Sequence, residues 1–241
     1  MTHTYSKLKP SIVLGVVAHA DDLDYYAGGS MAAFARQGAK VYYLILTDGS
    51  KGSSDREMTP EHLRDMRREE QRNAAKVLGV SDVFFCDYLD GMLENTAAVK
   101  KDIVRVIRQI KPDTVVTLDP AVLYLPEQGL INHSDHRAAG QATLDAVYPL
   151  ARDHMFFPEL LSDGYEPHAA KTLLLASLDI DKANFAVDIS ETIDQKFEAL
   201  GAHASQLTVQ EMKQTLRADA ARVAAKYGCA YAEPFIRIDI N

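Results

Sequence analysis

The chain has 241 residues, 47% apolar and 25% charged, the composition of a soluble globular protein with a core of good size. A formal net charge of -8 and a pI near 5.5 argue against a nucleic-acid backbone or an anionic membrane as the main partner. No apolar run reaches the roughly 18 residues of a membrane span, the first residues lack the apolar stretch of a secretory signal, and Cys86 and Cys229 make no disulfide framework, so a cytoplasmic protein with reduced thiols is expected.

Residues 11–17, SIVLGVV, are continuous, apolar and rich in β-branched side chains, and they predict a buried strand. The segment AHADDLDYYAGG follows, and a helix is expected over residues 30–37, stopped by Gly38. Residues 41–46, VYYLIL, predict a second strand. The polar loop 47–59 is long enough to be functional. Pro60 opens a helix whose Leu63, Met66, Ala74, Val77 and Leu78 keep helical spacing as far as Gly79. A short strand at 83–86 precedes a helix capped by Thr96, with Val99, Ile103, Ile107 and Ile110 on one face. Residues 114–118, TVVTL, form a fourth strand. Residues 119–132 read as irregular and 135–147 as helical.

Strand and helix thus alternate four times, which implies an α/β, Rossmann-like three-layer fold with a mostly parallel central sheet and helices on both faces. Beyond residue 150 the pattern is looser. Strands are expected at 171–176, 186–189 and 235–240, and helices at 191–204 and 209–227. Without repeats, low-complexity tracts or a linker, residues 1–241 read as a single domain.

Ligands of open parallel sheets bind beyond the carboxyl ends of the strands. His19, Asp21 and Asp22 lie just past the first predicted strand and offer one imidazole and two carboxylates, suitable for zinc or a similar divalent ion. The i, i+3 relation of His19 and Asp22 turns both toward one point, leaving Asp21 for proton transfer. Read alone, the cluster is equally consistent with Asp21 or Asp22 capping a helix. Gly28-Gly29 offers only a weak nucleotide-loop signal, because G-x-G-x-x-G is missing. A second cluster, His133-Ser134-Asp135-His136, follows the fourth strand and opens a helix. Asp135 stands where it could orient an imidazole, or it and Ser134 are caps.

AHADD together with the distal HSDH resembles the PIG-L/LmbE-like family of zinc-dependent N-acetylglucosamine deacetylases, whose usual forms are HPDD and HPDH. Thr47-Asp48-Gly49, Arg67-Arg68-Glu69-Glu70, Asp90-Gly91 and His203-Ala204-Ser205-Gln206 extend the resemblance from about Ile12 to Gln206. Ala20 and Ser134 replace the two prolines. Leu23 stands where the family often has Glu, with Asp24 next door as a substitute acid.

The resemblance implies metal ligation by His19, Asp22 and His136, with one Zn2+ per chain; Fe2+, Co2+ and Mn2+ suit the same donors. It implies Asp21 as general base, protonated His133 as oxyanion donor and Asp135 as the group holding His133 charged. The expected reaction removes an acetyl group from an N-acetylglucosamine-type conjugate, giving acetate and a free amine. An amidase acting on an amino-sugar thiol conjugate would use the same site, whereas a non-catalytic Rossmann-like binding protein would need no metal. Similar proteins assemble as homo-oligomers, trimers or hexamers. Loop residues Asp48, Arg56, Tyr88, Asp90 and Tyr124 are substrate-contact candidates, each equally readable as a solvated loop side chain. Arg67 and Glu70 are expected to form a structural ion pair, and His203 to fix its helix. His3, His62, His154 and His168 carry no pattern.

Overall fold

The computed structural model describes residues 8–240; His3 lies outside them. Strands β1 (Ile12–Val17), β2 (Lys40–Thr47), β3 (Asp82–Tyr88) and β4 (Thr114–Leu118) alternate with helices α1 (Asp22–Arg36), α2 (Pro60–Leu78) and α3 (Ala97–Ile110). A two-stranded hairpin follows, β5 (Tyr124–Leu125) and β6 (Leu130–Ile131), then α4 (Ser134–Asp145), a π-helical turn and the short α5 (Glu159–Ser162). The chain closes with β7 (Thr172–Ala176), β8 (Phe185–Asp188), α6 (Ile193–Gly201), α7 (Val209–Ala224) and β9 (Ala232–Asp239).

Seven strands form one sheet in the order β3-β2-β1-β4-β7-β9-β8. All pairs as far as β7 are parallel, and β9 runs antiparallel to both β7 and β8. This is the mostly parallel three-layer arrangement expected from the alternation. Its two faces follow from the period of two along β1. Val13 and Val17 pack with α1, α2 and α6, while Leu14 and Val16 pack with α3 and α4. The strands read as unbroken apolar runs because both faces are covered.

Local signals set the helix ends. Thr59 accepts a hydrogen bond from the His62 amide, Pro60 occupies the first turn, and Gly79 ends α2 at φ 77°. Thr96 caps α3 through the Val99 amide. Helix α1 differs from expectation: it starts at Asp22, eight residues before Ser30. Gly28 and Gly29 read as a break, yet packing holds them helical. A Cβ on Gly29 would lie 2.9 Å from Ile189, and the Glu233 carboxylate accepts the Gly29 and Ser30 amides at 3.1 and 2.7 Å. Tertiary contact outweighs the roughly 1 kcal/mol helix penalty of each glycine.

The chain reverses order at β1, with β2 on one side and β4 on the other, and the carboxyl ends of β1 and β4 flank that switch point. Helix α4 is seated against it through Gly140, where a Cβ would collide with the Leu118 carbonyl oxygen. Gly140→Ala should therefore destabilise the protein by about 1–3 kcal/mol, the usual effect of overpacking. A urea denaturation midpoint equal to that of the parent would contradict this seating.

Candidate active site

The two clusters converge at the switch point. The Asp22 carboxylate is the hub: Oδ2 accepts the His19 amide at 2.8 Å and lies 3.5 Å from His19 Nδ1, and Oδ1 lies 3.0 Å from His136 Nε2. The rings of His19, His133 and His136 have centroids 4.9–5.3 Å apart. On its far side, His19 Nε2 faces Asp90 Oδ1 at 3.1 Å and Asp135 Oδ2 at 3.3 Å. His19 therefore has two distinct sides, with Nδ1 toward the gap shared with Asp22 and His136, and Nε2 toward a pair of carboxylates. A metal-bound histidine typically donates its other ring N–H to a carboxylate in this way.

Two imidazoles and one carboxylate are a donor set for zinc or a related divalent ion. Asp22 Oδ1 lies 3.0 Å from His136 Nε2 and Oδ2 lies 3.5 Å from His19 Nδ1, so the carboxylate spans both imidazoles, and His133 stands close enough to His19 and His136 to share an ion with them. The electrostatics agree. Burial alone would lower the His19 pKa, but Asp135, Asp22 and Asp90 outweigh it and push it up to about 12. The cluster thus demands positive charge where a cation would sit. Burial pulls Asp22 upward, but His136 and His19 hold it far below the ordinary carboxylate range. The residues fit a divalent ion.

Asp21 behaves differently. Burial first, then the charge of Asp22, raise its pKa to about 6 against the opposing pull of Arg67, His203 and His19. Its backbone sits at φ 90° and ψ -31°, a strained conformation costing roughly 1–3 kcal/mol. Helix α2 holds it there. Gln71 Oε1 accepts the Asp21 amide at 3.0 Å, and Gln71 Nε2 donates to Asp24 at 2.8 Å. Arg67 donates to the carbonyls of Ala20 and Gly49 and lies 3.6 Å from the Asp21 carboxylate. Asp24 in turn accepts from Tyr43 and pairs with His203 Nε2 at 2.7 Å. Gln71→Leu should leave the Asp21 amide without its acceptor and remove one of the two donors to Asp24 Oδ2, which keeps His203, destabilising by about 1–3 kcal/mol. It should also lower kcat by roughly 10–100-fold through misplacement of Asp21, with KM little changed. An unchanged kcat would remove Gln71 from this role.

Several expectations need correction. Arg67 and Glu70 are not an ion pair: Arg67 turns to the Asp21 loop, and Glu70 accepts from the amide and hydroxyl of Ser205. Asp135 does not hold His133. Its carboxylate accepts the Gly91 and Leu93 amides at 2.7 and 3.2 Å and faces His19, because the loop after β3 supplies those donors. The Asp135 amide instead donates to His133 Nδ1 at 3.1 Å, which leaves the ring proton on Nε2. Burial and the charges of His19 and His136 lower the His133 pKa, which disfavours the imidazolium form expected from the sequence.

Among the substrate-contact candidates, Asp90 lies in the centre, also accepting the Lys51 amide at 3.0 Å. Asp48 braces the loops after β2 and β3 by accepting from Ser50 and Asp90. Tyr88 is turned away and donates to Asp102 on α3 at 2.7 Å. Arg56 and Tyr124 are exposed and make no hydrogen bond to the cluster among the described residues. Leu23 fills the space over Gly15, while buried Asp24 supplies the acid beneath the site. His168 bonds the Pro112 carbonyl, and His62 and His154 are exposed. Sequence reasoning missed Gln71 and the reach of Arg67. Both share the buried face of α2 with Leu63, Ala74 and Leu78, and polar residues on an apolar face were the available signal.

Fold and site together define the class: a three-layer α/β protein with a His/Asp centre at the carboxyl ends of its parallel strands. The chain belongs to the PIG-L family, whose model, described as GlcNAc-PI de-N-acetylase, matches residues 14–147. It is 35% identical to a diacetylchitobiose deacetylase of Thermococcus kodakarensis over 80% of this chain and 69% of that protein. The structure of N,N'-diacetylchitobiose deacetylase from Pyrococcus horikoshii is similar with a TM-score of 0.86 and 28% identity, over 95% of this chain and 84% of that one. A 4-oxalmesaconate hydratase of Pseudomonas putida is 27% identical over 80% of this chain and 73% of its own length.

Proposed function

We propose that the protein is a metal-dependent N-deacetylase that hydrolyses the acetamide of an N-acetylglucosamine-type sugar conjugate, with zinc as its metal. The observation that carries the reading is Asp21, a carboxyl group of raised pKa held beside, and not within, the His19/Asp22/His136 donor set. The similar chitobiose deacetylases supply the substrate class. No helix among the described residues is long and apolar enough to cross a membrane. Exposed Leu123, Tyr124 and Ile131 on and beside the hairpin fit self-association.

His19, Asp22 and His136 would hold the divalent ion, which would supply Lewis acidity toward a carbonyl and would lower the pKa of water from 15.7 to about 7. Asp21 takes the proton of the attacking water and returns one to the leaving nitrogen, since a pKa near 6 suits both directions. His133 Nε2–H donates to the carbonyl oxygen as negative charge develops there, as an oxyanion donor. Asp135 and Asp90 fix the His19 ring, and Gln71 and Arg67 fix Asp21. The products are acetate and the free amine.

The test is acetate release from a panel of N-acetylglucosamine conjugates, with metal analysis of the same sample and a chelator control. Acetate formation that is lost on chelation and restored by zinc is the expected result. Release of a larger acyl group would favour the amidase reading. Water addition to an unsaturated acid, with no acetate from any sugar, would overturn the deacetylase reading in favour of the hydratase relative.

A further inference from the structure

A chain of hydrogen bonds runs from the turn between α6 and α7 to the backbone of Asp21. His203 is buried in that turn, and its Nε2 lies 2.7 Å from Asp24 Oδ2. The same oxygen accepts Gln71 Nε2 at 2.8 Å, and Gln71 Oε1 accepts the Asp21 amide at 3.0 Å. Tyr43 donates to the other Asp24 oxygen at 3.1 Å. Tyr43, Gln71, Asp24 and His203 are all shut off from solvent.

The chain has a direction. A carboxamide has one accepting end and one donating end, and only the accepting end can hold an amide N–H. An ionised carboxylate can only accept. Asp24 therefore draws the Gln71 NH2 group to itself and turns Oε1 toward Asp21. A buried carboxylate is costly unless a cation and hydrogen bonds compensate it, and His203 is the cation paired with Asp24 among the described residues. Burial alone would lower the His203 pKa, but Asp24 outweighs it and raises it. Nδ1 of the same ring has no hydrogen-bond partner among the described residues, so the polar contact of the ring is with Asp24.

We propose that His203 is a positioning residue for the general base: paired with Asp24, it fixes the Gln71 carboxamide in the orientation that holds the Asp21 backbone at φ 90°. The proposal rests on the deacetylase reading for the role of Asp21 as base. The turn itself is clasped to the scaffold that carries Asp21. The amide and hydroxyl of Ser205 donate to Glu70, the neighbour of Gln71 on α2, at 2.8 and 2.6 Å. Gln206 donates to the Gly52 carbonyl at 3.0 Å, so closely that a Cβ on Gly52 would lie 2.7 Å from Gln206 Oε1. A strained backbone persists only where its surroundings over-determine it, and the turn supplies that restraint from the far end of the chain.

The test compares His203→Asn with His203→Gln in full-length, metal-loaded protein. Gln offers an amide N–H near the place of Nε2, whereas Asn is one carbon shorter and stops short of Asp24. His203→Asn should lower kcat by about 10–100-fold, with KM within about twofold and bound metal at the parental level. His203→Gln should recover kcat to within about threefold of the parent. Added to Gln71→Leu, His203→Asn should cost less than about twofold more, because both act through one contact, whereas independent structural damage would multiply the losses. The backbone is read apart from activity. Exchange of the Asp21 amide proton, followed by NMR, should speed up by about tenfold in His203→Asn relative to the amides of β1, and slow again in His203→Gln. Where His203→Asn does not fold, His203→Phe, which keeps a ring and loses the donor, is read in the same ways. An unchanged kcat or an unchanged Asp21 amide exchange in the folded variant overturns the proposal, and so do losses that multiply with those of Gln71→Leu. Absence of acetate from the parent on every conjugate, alongside faster Asp21 exchange in the variant, overturns the deacetylase reading and leaves His203 as the residue that holds the Asp21 backbone.

Discussion

Asp21→Asn is expected to lower turnover by about 10²–10⁴-fold, the usual contribution of a general base, while bound metal stays at the parental level. The substitution is well isolated. Asn tolerates positive φ almost as readily as Asp, so the strained backbone at φ 90° is kept. The hydrogen bond to Gln71 is made by the backbone amide and is untouched. The capacity to accept a proton is lost, together with the charge that faces Arg67 and Asp22.

The same substitution carries a stability signature of opposite sign. The folded-state pKa of Asp21, about 6, lies above its ordinary value of 3.8, so the folded protein binds this proton more tightly than the unfolded chain. Stability linked to Asp21 is therefore greatest at low pH and falls as the pH rises through about 6. Asn cannot ionise and escapes that loss. The variant should melt higher than the parent at pH 8 and show no such gain at pH 4, while the parent's kcat/KM should fall as the pH drops through the Asp21 pKa. An inactive variant with no stability gain at pH 8 would place the raised pKa elsewhere. A fully active variant would end the role of Asp21 as base. Loss of activity joined to gain of stability is the trade expected where a charged group is held in strain for chemistry.

Much of this centre was legible because its members are local pairs at strand ends. His19 with Asp22, and His133 with His136, lie three residues apart, and the strands that carry them are unbroken apolar runs. The supporting contacts were less legible for a physical reason. His203 stood out only through the HASQ resemblance and Gln71 not at all, because they reach the site from 179 and 50 residues away in sequence, measured from Asp24 and Asp21, and tertiary packing brings them there. The aim of Asp135 was equally hidden, since the amides of Gly91 and Leu93 draw its carboxylate toward His19 and away from His133. The start of α1 was misplaced because Gly28-Gly29 is a helix breaker in isolation, and its partners Ile189 and Glu233 come from the far end of the chain. Leu23, a departure from the family pattern, is accommodated by Gly15 and by the acid at Asp24.

Asp22→Ala should abolish stable metal binding, and with it acetate release, because Asp22 is the carboxylate that lies between His19 and His136. Its loss leaves two imidazoles with no carboxylate between them, and three protein donors are the norm at a catalytic zinc site. Asp135→Asn is the graded control. It keeps all three donors and changes one of the two carboxylate partners of His19 Nε2, together with an acceptor of the Gly91 or Leu93 amide, so metal affinity should fall by about 10–100-fold without being abolished. Thermal stability supplies a reading independent of activity. A bound ion present at 100 times its Kd stabilises the fold by about 2.7 kcal/mol, so chelation should lower the Tm of the parent and leave that of Asp22→Ala unchanged. If Asp22→Ala retains stoichiometric metal after desalting, the ion sits instead within one of two other groups of donors close enough to share one among the described residues, His19/His133/His136 or His19/Asp90/Asp135. Outright loss of metal in Asp135→Asn would then favour the carboxylate side of the His19 ring, and loss in His133→Ala the imidazole side.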